Sequence, residues 1–336
     1  MAQSRPTIPL TIIAGYLGSG KTTLLNRLIA KFDTSRFAIL VNDFGKLNID
    51  AELVELEGGK AFRLESGCIC CNIGNSLMTT LLDVLRMEPR PERVLVEASG
   101  VADPARMADI SRLSPSLHQG RVIVLVDSAR IRFQLADPLL AETVRKQIEA
   151  SDLLVLNKVD LCSGADLADL SAWLKSEFGE PQLVTAVHSR IPLTHVLADR
   201  DAFDEPKTDG APPNHRHGGG ANIKHSAVFW SWSYETQDLY ERERFEEALR
   251  ELTPIVERAK GFVRFHAAPH HMFVVQLAGA RYSLTAARED QPEMPNCRIE
   301  LIGTGKRPDE TFLRGIFDRA REPARVSSCL TSDGTG

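Results

Sequence analysis

The chain lacks an excess of basic charge. Lysine and arginine number 40 against 45 aspartates and glutamates, a formal net charge of −5 over 336 residues. That balance excludes the electrostatic footprint of a nucleic-acid or anionic-lipid binder. The chain also lacks an uninterrupted apolar run long enough to span a bilayer. No signal peptide is expected, because Met1-Ala2-Gln3-Ser4-Arg5-Pro6 leads straight into an apolar segment. A reducing, cytoplasmic setting is the expectation. There the six cysteines read as thiols rather than as a disulfide framework. Internal repeats are absent. What remains is ordinary for a globular protein, at 43% hydrophobic and 25% charged residues. The length exceeds one small core and implies about two domains.

Against that background one segment stands out. Residues 15–22 read Gly-Tyr-Leu-Gly-Ser-Gly-Lys-Thr, which fits the phosphate-loop pattern G-x-x-x-x-G-K-[ST]. Leu10, Ile12 and Ile13 precede it as a strand, and Thr23-Leu24-Leu25-Asn26-Arg27-Leu28-Ile29 follows with helical periodicity. Gly15, Gly18 and Gly20 let the backbone approach phosphate oxygens. The N–H groups of the loop, including Ser19 and Thr23, and the helix N-terminus form an anion nest. Lys21 supplies charge to the terminal phosphates, and Thr22 offers a hydroxyl to Mg²⁺.

Apolar strands alternate with helices through the first two hundred residues. Strands are predicted at Leu10–Ile13, Phe37–Val41, Arg93–Glu97, Arg121–Val126, Asp152–Leu156 and Gln182–Val187. Helices are predicted at Lys21–Phe32, Gly74–Arg86, Pro138–Glu149 and Asp166–Phe178. This is the α/β alternation of a doubly wound, mostly parallel sheet. Residues 201–222 are rich in Pro, Gly and Asp and read as a flexible linker. A smaller α+β domain is expected over 223–321, with helices on one face of an antiparallel sheet. Pro269-His270-His271 reads as a hairpin turn, and 322–336 as a polar tail. The nucleotide domain is expected over 9–200.

Two further motifs identify the nucleotide. Asn157-Lys158-Val159-Asp160 follows the strand Asp152–Leu156. A carboxylate at Asp160 can accept from both N1–H and the exocyclic amine of guanine, whereas adenine has no matching donor pair. GTP is therefore expected over ATP. The strand Arg93–Glu97 ends in an acid followed by Ala98-Ser99-Gly100. Glu97 is placed to help hold Mg²⁺, and the Gly100 N–H to sense the γ-phosphate. Lys21, Thr22 and Glu97 are thus the expected catalytic residues. No residue stands out as a water-positioning glutamine, so slow intrinsic turnover is expected.

The third feature is Glu65-Ser66-Gly67-Cys68-Ile69-Cys70-Cys71, with three of the six cysteines within four residues. Thiolates at Cys68, Cys70 and Cys71 suit Zn²⁺, Cu(I) or Co²⁺ and could fill three of four tetrahedral positions. Buried apolar cysteines or a redox pair are the alternatives, though the C-x-x-C spacing of thioredoxin-like sites is missing. His215, His217 and His225 read as solvated linker residues, and Cys162, Cys297 and Cys329 as isolated.

Taken in order, residues 15–24, Asn42-Asp43-Phe44-Gly45 ending in Ile49-Asp50, residues 65–71, Glu97–Pro104 and residues 157–160 resemble the CobW-type metal-chaperone GTPases. Arg258-Ala259-Lys260-Gly261 before an apolar strand resembles the CobW C-terminal domain. The resemblance covers about residues 9–320. It implies a slow GTPase that delivers a transition metal, usually Zn²⁺ and in some members Co²⁺ or Fe²⁺, to a client metalloenzyme. It assigns phosphate binding to Gly15–Thr23, guanine reading to Asn157, Lys158 and Asp160, metal to the three cysteines, and a first switch to Asn42–Asp50. Asp43 departs from the family's usual Glu. The linker lacks the long histidine tracts of some members. A nucleotide switch with a permanent structural zinc and a small-molecule kinase are the rival classes. The chain alone names no client and no oligomeric state.

Overall fold

The computed structural model describes residues 6–31, 36–41, 61–63, 73–198, 229–287 and 294–321. These form two compact units that divide at Ser231–Trp232, with Ile302–Gly305 grouped with the first. The linker 201–222, the tail 322–336, Asn42–Asp50, the cysteine cluster, the three linker histidines and Cys329 lie outside the described residues.

The first unit carries a seven-stranded sheet. Its strands are β1 Ile8–Ala14, β2 Phe37–Val41, β3 Ala61–Arg63, β4 Arg93–Glu97, β5 Leu117–Asp127, β6 Leu153–Asn157 and β7 Leu183–Ala186. The order is β3-β2-β4-β1-β5-β6-β7, and the pairings are parallel. The helices are α1 Lys21–Ile29, α2 Ile73–Leu85, α3 Pro104–Asp109, α4 Ile131–Ala136, α5 Ala141–Glu149, α6 Gly164–Phe178 and α7 Leu193–Leu197.

The apolar runs explain the layering. A central parallel strand must be covered on both faces, and β1 is buried at all seven positions. On one face Ile13, Ile39, Leu95, Leu125 and Val155 meet Leu24, Leu25 and Leu28 of α1. On the other, Leu10, Ile12, Leu40, Val96 and Val124 meet Leu77, Leu81 and Val84 of α2 and Val144 and Ile148 of α5. Because the strands run the same way, their C-terminal ends share one edge. The register sets Arg63, Val41, Glu97 and Ile13 in one row across β3, β2, β4 and β1. That edge is where an open α/β sheet forms its crevice.

The structure revises several boundaries. Helix α1 ends at Ile29 rather than Phe32. Helix α5 starts at Ala141 rather than Pro138, because Asp137 accepts from Leu139 N (2.8 Å) and holds residues 137–140 in a turn. Strand β5 begins at Leu117, ahead of the continuous apolar run that starts after Arg121. Strand β3 and helices α3, α4 and α7 were not foreseen. Each has six residues or fewer, too short for periodicity to register. Helix α3 does carry start signals, an N-cap at Asp103 accepting from Ala105 N (3.0 Å) and a proline in its first turn.

The second unit holds the described part of a five-stranded sheet, β11-β10-β9-β12-β8. Its strands are β8 Phe229–Thr236, β9 Arg258–Phe265, β10 Ala268–Ala278, β11 Arg281–Ala286 and β12 Cys297–Thr304. Two helices, α8 Arg242–Leu252 and α9 Glu310–Arg319, accompany it. Strand β10 pairs antiparallel with β9 and β11. Tyr234 of β8 stacks on Phe317 of α9 at 5.1 Å, and Phe245 of α8 lies 6.1 Å from the same ring. Both helices therefore cover one face. His270 and His271 do not form the hairpin turn. They are exposed on β10, beside a register irregularity, and the turn falls at His266–Ala267. Pro269 ahead of them removes one ladder donor, which fits such an irregularity.

Candidate nucleotide site

The loop between β1 and α1 takes the conformation its glycines allow. Gly15, Gly18 and Gly20 have φ of 134°, 75° and 110°. A Cβ on Gly15 would lie 2.1 Å from the Leu125 carbonyl oxygen, and Gly20 is nearly as tight. A Cβ there would lie 2.4 Å from Asn157 Nδ2 and 2.6 Å from Ser189 Oγ. Glycine is required both for the positive φ and for the approach of these two side chains. Lys21 is buried and donates Nζ to Gly15 O (2.9 Å) and Tyr16 O (3.3 Å), folding back over the loop it follows. Ser19 is buried as well.

Thr22 opens α1 beside the end of β4. Its Oγ1 donates to Glu97 Oε1 at 2.8 Å. Glu97 is only 2% exposed and pairs in register with Ile13, two residues before Gly15. The hydroxyl and the carboxylate are hard oxygen donors of the kind Mg²⁺ selects. Gly100, three residues past Glu97, sits against the loop residue Leu17.

Asn157 ends β6 and fastens two loops together. Its Nδ2 donates to Ser19 O (2.7 Å) and Ser189 Oγ (3.0 Å), and its Oδ1 accepts from Ser189 N (2.8 Å). Ser189 Oγ in turn donates to Gly20 O at 2.9 Å. The end of β6 and the glycine-rich loop are therefore one bonded unit. Lys158 adopts the left-handed region (φ 62°) and pairs with Asp127 at 2.8 Å. Asp160 is exposed.

Thus Gly15, Gly18, Ser19, Gly20, Lys21, Thr22, Glu97, Gly100, Asn157 and Lys158 converge at one end of the sheet. Thr23 points outward from α1 and is exposed. Cys68, Cys70 and Cys71 lie outside the described residues. Among the described residues no group of three His, Cys, Asp or Glu side chains is arranged to hold a metal.

Sequence reasoning missed Asp127 and Ser189. Asp127 had a readable signal, an acid closing an apolar strand just as Glu97 does. Ser189 had none. It lies 32 residues from Asn157, and positive φ at His188 (49°) and Ser189 (57°) is not legible in non-glycine residues.

Residues 9–183 match the CobW/HypB/UreG nucleotide-binding domain. The chain belongs to the CobW/HypB/UreG family. Residues 229–321 match the CobW C-terminal domain, named for cobalamin synthesis protein CobW. The chain is 29% identical over 243 residues to a zinc chaperone CobW of Pseudomonas aeruginosa, covering 62% of this chain and 64% of that protein. It thus spans just under two thirds of that relative. A zinc chaperone CobW of Sinorhizobium is 27% identical over 307 residues, covering 82% of this chain and 86% of that one. A crystal structure of Zn(II)-bound YjiA GTPase from E. coli is 21% identical and covers 95% of this chain and 100% of that one, with a TM-score of 0.46. No helix among the described residues is long and apolar enough to cross a membrane.

Proposed function

We propose that this chain is a GTP-hydrolysing metallochaperone. It captures a transition metal, zinc first among them, at Cys68, Cys70 and Cys71 and passes it to a client metalloprotein. The observation that carries the reading is the fastening of Asn157 to Ser19 and, through Ser189, to Gly20. A base reader bonded to a phosphate loop suits a purine nucleoside triphosphate, and Asp160 beside it suits guanine. Names of the relatives, zinc chaperones and a zinc-regulated GTPase metalloprotein activator, support the cargo.

In this reading the loop N–H groups and Lys21 hold the β- and γ-phosphates, and Lys21 exchanges its carbonyl contacts for phosphate oxygens. Thr22 and Glu97 hold Mg²⁺, which when bound neutralises charge between the phosphates. Gly100 donates its N–H toward the γ-phosphate. In sequence the cysteines lie between β3, which ends at Arg63, and α2, which starts at Ile73. The end of β3 lies in the row of Glu97 and Ile13, so the metal segment starts from the edge that meets nucleotide. Nucleotide state and thiolate geometry are coupled through that shared edge, and the coupling is reciprocal.

Phosphate release from GTP and from ATP, with and without Mg²⁺, tests the nucleotide half of this reading. GTP is expected to be hydrolysed at least about tenfold faster at limiting nucleotide, from the two hydrogen bonds that the Asp160 carboxylate can accept from guanine and not from adenine. Equal rates, or transfer of phosphate to a small molecule instead of water, would revive the kinase alternative.

A further inference from the structure

The turn that follows Glu97 is held from a side that no nucleotide motif describes. Gln147 lies on α5, is 1% exposed, and donates Nε2 to Gly100 O (3.2 Å) and Ala102 O (3.0 Å). The turn closes on itself through Ala102 N to Ser99 O (3.0 Å). Its opposite side rests on the phosphate loop. A Cβ on Gly100 would lie 2.4 Å from Leu17 Cδ2 and 2.9 Å from Leu17 N. Residues 99–102 are thus gripped between Leu17 and one buried carboxamide.

Burying a carboxamide costs free energy unless its N–H groups are satisfied. Here both N–H contacts go to this turn, whereas an apolar residue would fill the same space between Val144 and Ile148 without that cost. Two carbonyls held from behind fix the planes of their peptide groups. Gln147 holds the peptides that follow Gly100 and Ala102, and the peptide that carries the Gly100 N–H is held between them by its own carbonyl, Ser99 O, which accepts from Ala102 N. We infer that Gln147 is a positioning residue for γ-phosphate sensing: it holds the Ser99–Ala102 turn with the Gly100 N–H aimed at the terminal phosphate. This rests on the nucleotide reading above and adds to it that the sensing turn is preset by α5 rather than ordered only when ligand arrives.

The consequence is selective. GDP has no γ-phosphate for the turn to address, and the hydrogen bonds of Gln147 go to the turn and not to the loop, Thr22 or Asn157. Loss of the carboxamide should therefore affect GTP and not GDP.

The test measures affinity for GDP and for a non-hydrolysable GTP analogue, and steady-state GTPase kinetics, in the full-length wild type and in Gln147→Met. Methionine keeps the length and removes both donors. Expected are a GDP affinity within about twofold of wild type, analogue affinity down about tenfold, and kcat reduced more than KM is raised, from the loss of two buried hydrogen bonds at one turn. GDP and analogue affinities falling together, or neither falling, would overturn the proposal. If Gln147→Met does not fold, Gln147→Glu, which keeps size but offers no N–H at neutral pH, is measured against the same outcomes. A wild type that binds neither guanine nucleotide would instead overturn the GTPase reading itself.

Discussion

Lys158 and Asp127 form a half-buried ion pair, Nζ to Oδ2 at 2.8 Å, between the ends of two neighbouring strands. The aspartate is the deeper partner, with its side chain 5% exposed against 25% for the lysine. The pair holds Lys158 in a left-handed conformation that a lysine rarely adopts unaided. Asn157 and Asp160 flank that residue, so their aim depends on it. Asp127→Ala should weaken GTP and GDP alike by about tenfold, between the loss for an exposed pair and that for a fully buried one. It should also narrow the preference for guanine over adenine. Competition with unlabelled ATP against a fluorescent GDP checks both effects. Unchanged affinity would show that Lys158 keeps its conformation without the pair.

Gly20→Ala should be destructive for two separate reasons. The backbone sits at φ 110°, and the new methyl would lie 2.4 Å from Asn157 Nδ2. Strain of this kind costs about 1–3 kcal/mol, and the Asn157 fastening must open to relieve it. Thermal unfolding should show the loss in the absence of nucleotide, and added GDP should recover little of it. Ser189→Ala removes only a hydroxyl from the same junction and should cost about 1 kcal/mol.

Thr22→Ala and Glu97→Gln address the pair proposed to hold magnesium. Thr22 Oγ1 donates to Glu97 Oε1 at 2.8 Å. Each substitution should lower Mg²⁺-dependent GTP hydrolysis by about a hundredfold, a typical loss for one electrostatic contact to the transition state. GDP binding without Mg²⁺ should persist. Single-turnover hydrolysis over a magnesium titration separates this from a folding defect.

Cys297 should be chemically silent. Burial at the start of β12 pushes its thiol up to about 12, a shift partly opposed by a hydrogen bond from Tyr240. Native protein at pH 7–9 should therefore not be alkylated there, while denatured protein should. The sign for stability follows. The folded thiol keeps its proton where the unfolded one, near 8.5, releases it, so this group's contribution is complete below about pH 8.5 and declines as pH rises above that value. Cys297→Ala or Cys297→Val should flatten the alkaline limb of a stability–pH curve measured by urea unfolding.

Much of the nucleotide site was legible because its chemistry demands residue types at fixed spacings. Gly20 needs positive φ, Lys21 and Thr22 follow it at the helix start, and Glu97 and Asn157 end apolar strands. The long, continuously apolar strands were legible for a similar reason, since β1 and β6 are buried on both faces. What failed to show was set by tertiary contact. Strand β3 exists through pairing with β2, not through a pattern in three residues. Ser189 matters through a bond across 32 positions to Asn157. Gln147 carries no signal in the sequence beyond its place in the predicted helix Pro138–Glu149, and only the fold sets it against Gly100. His270 and His271 misled because proline before a polar pair mimics a turn signal, while strand pairing continued past them.

The central claim is that nucleotide and metal act on one another. The direct test is Zn²⁺ affinity by chelator competition with GTP analogue, with GDP, and in a Cys68/Cys70/Cys71→Ser variant. The account predicts high affinity in the wild type, at least about a fivefold difference between the two nucleotide states, and loss of binding in the variant. Affinity that is equal in both states, or that survives removal of the three cysteines, would contradict it.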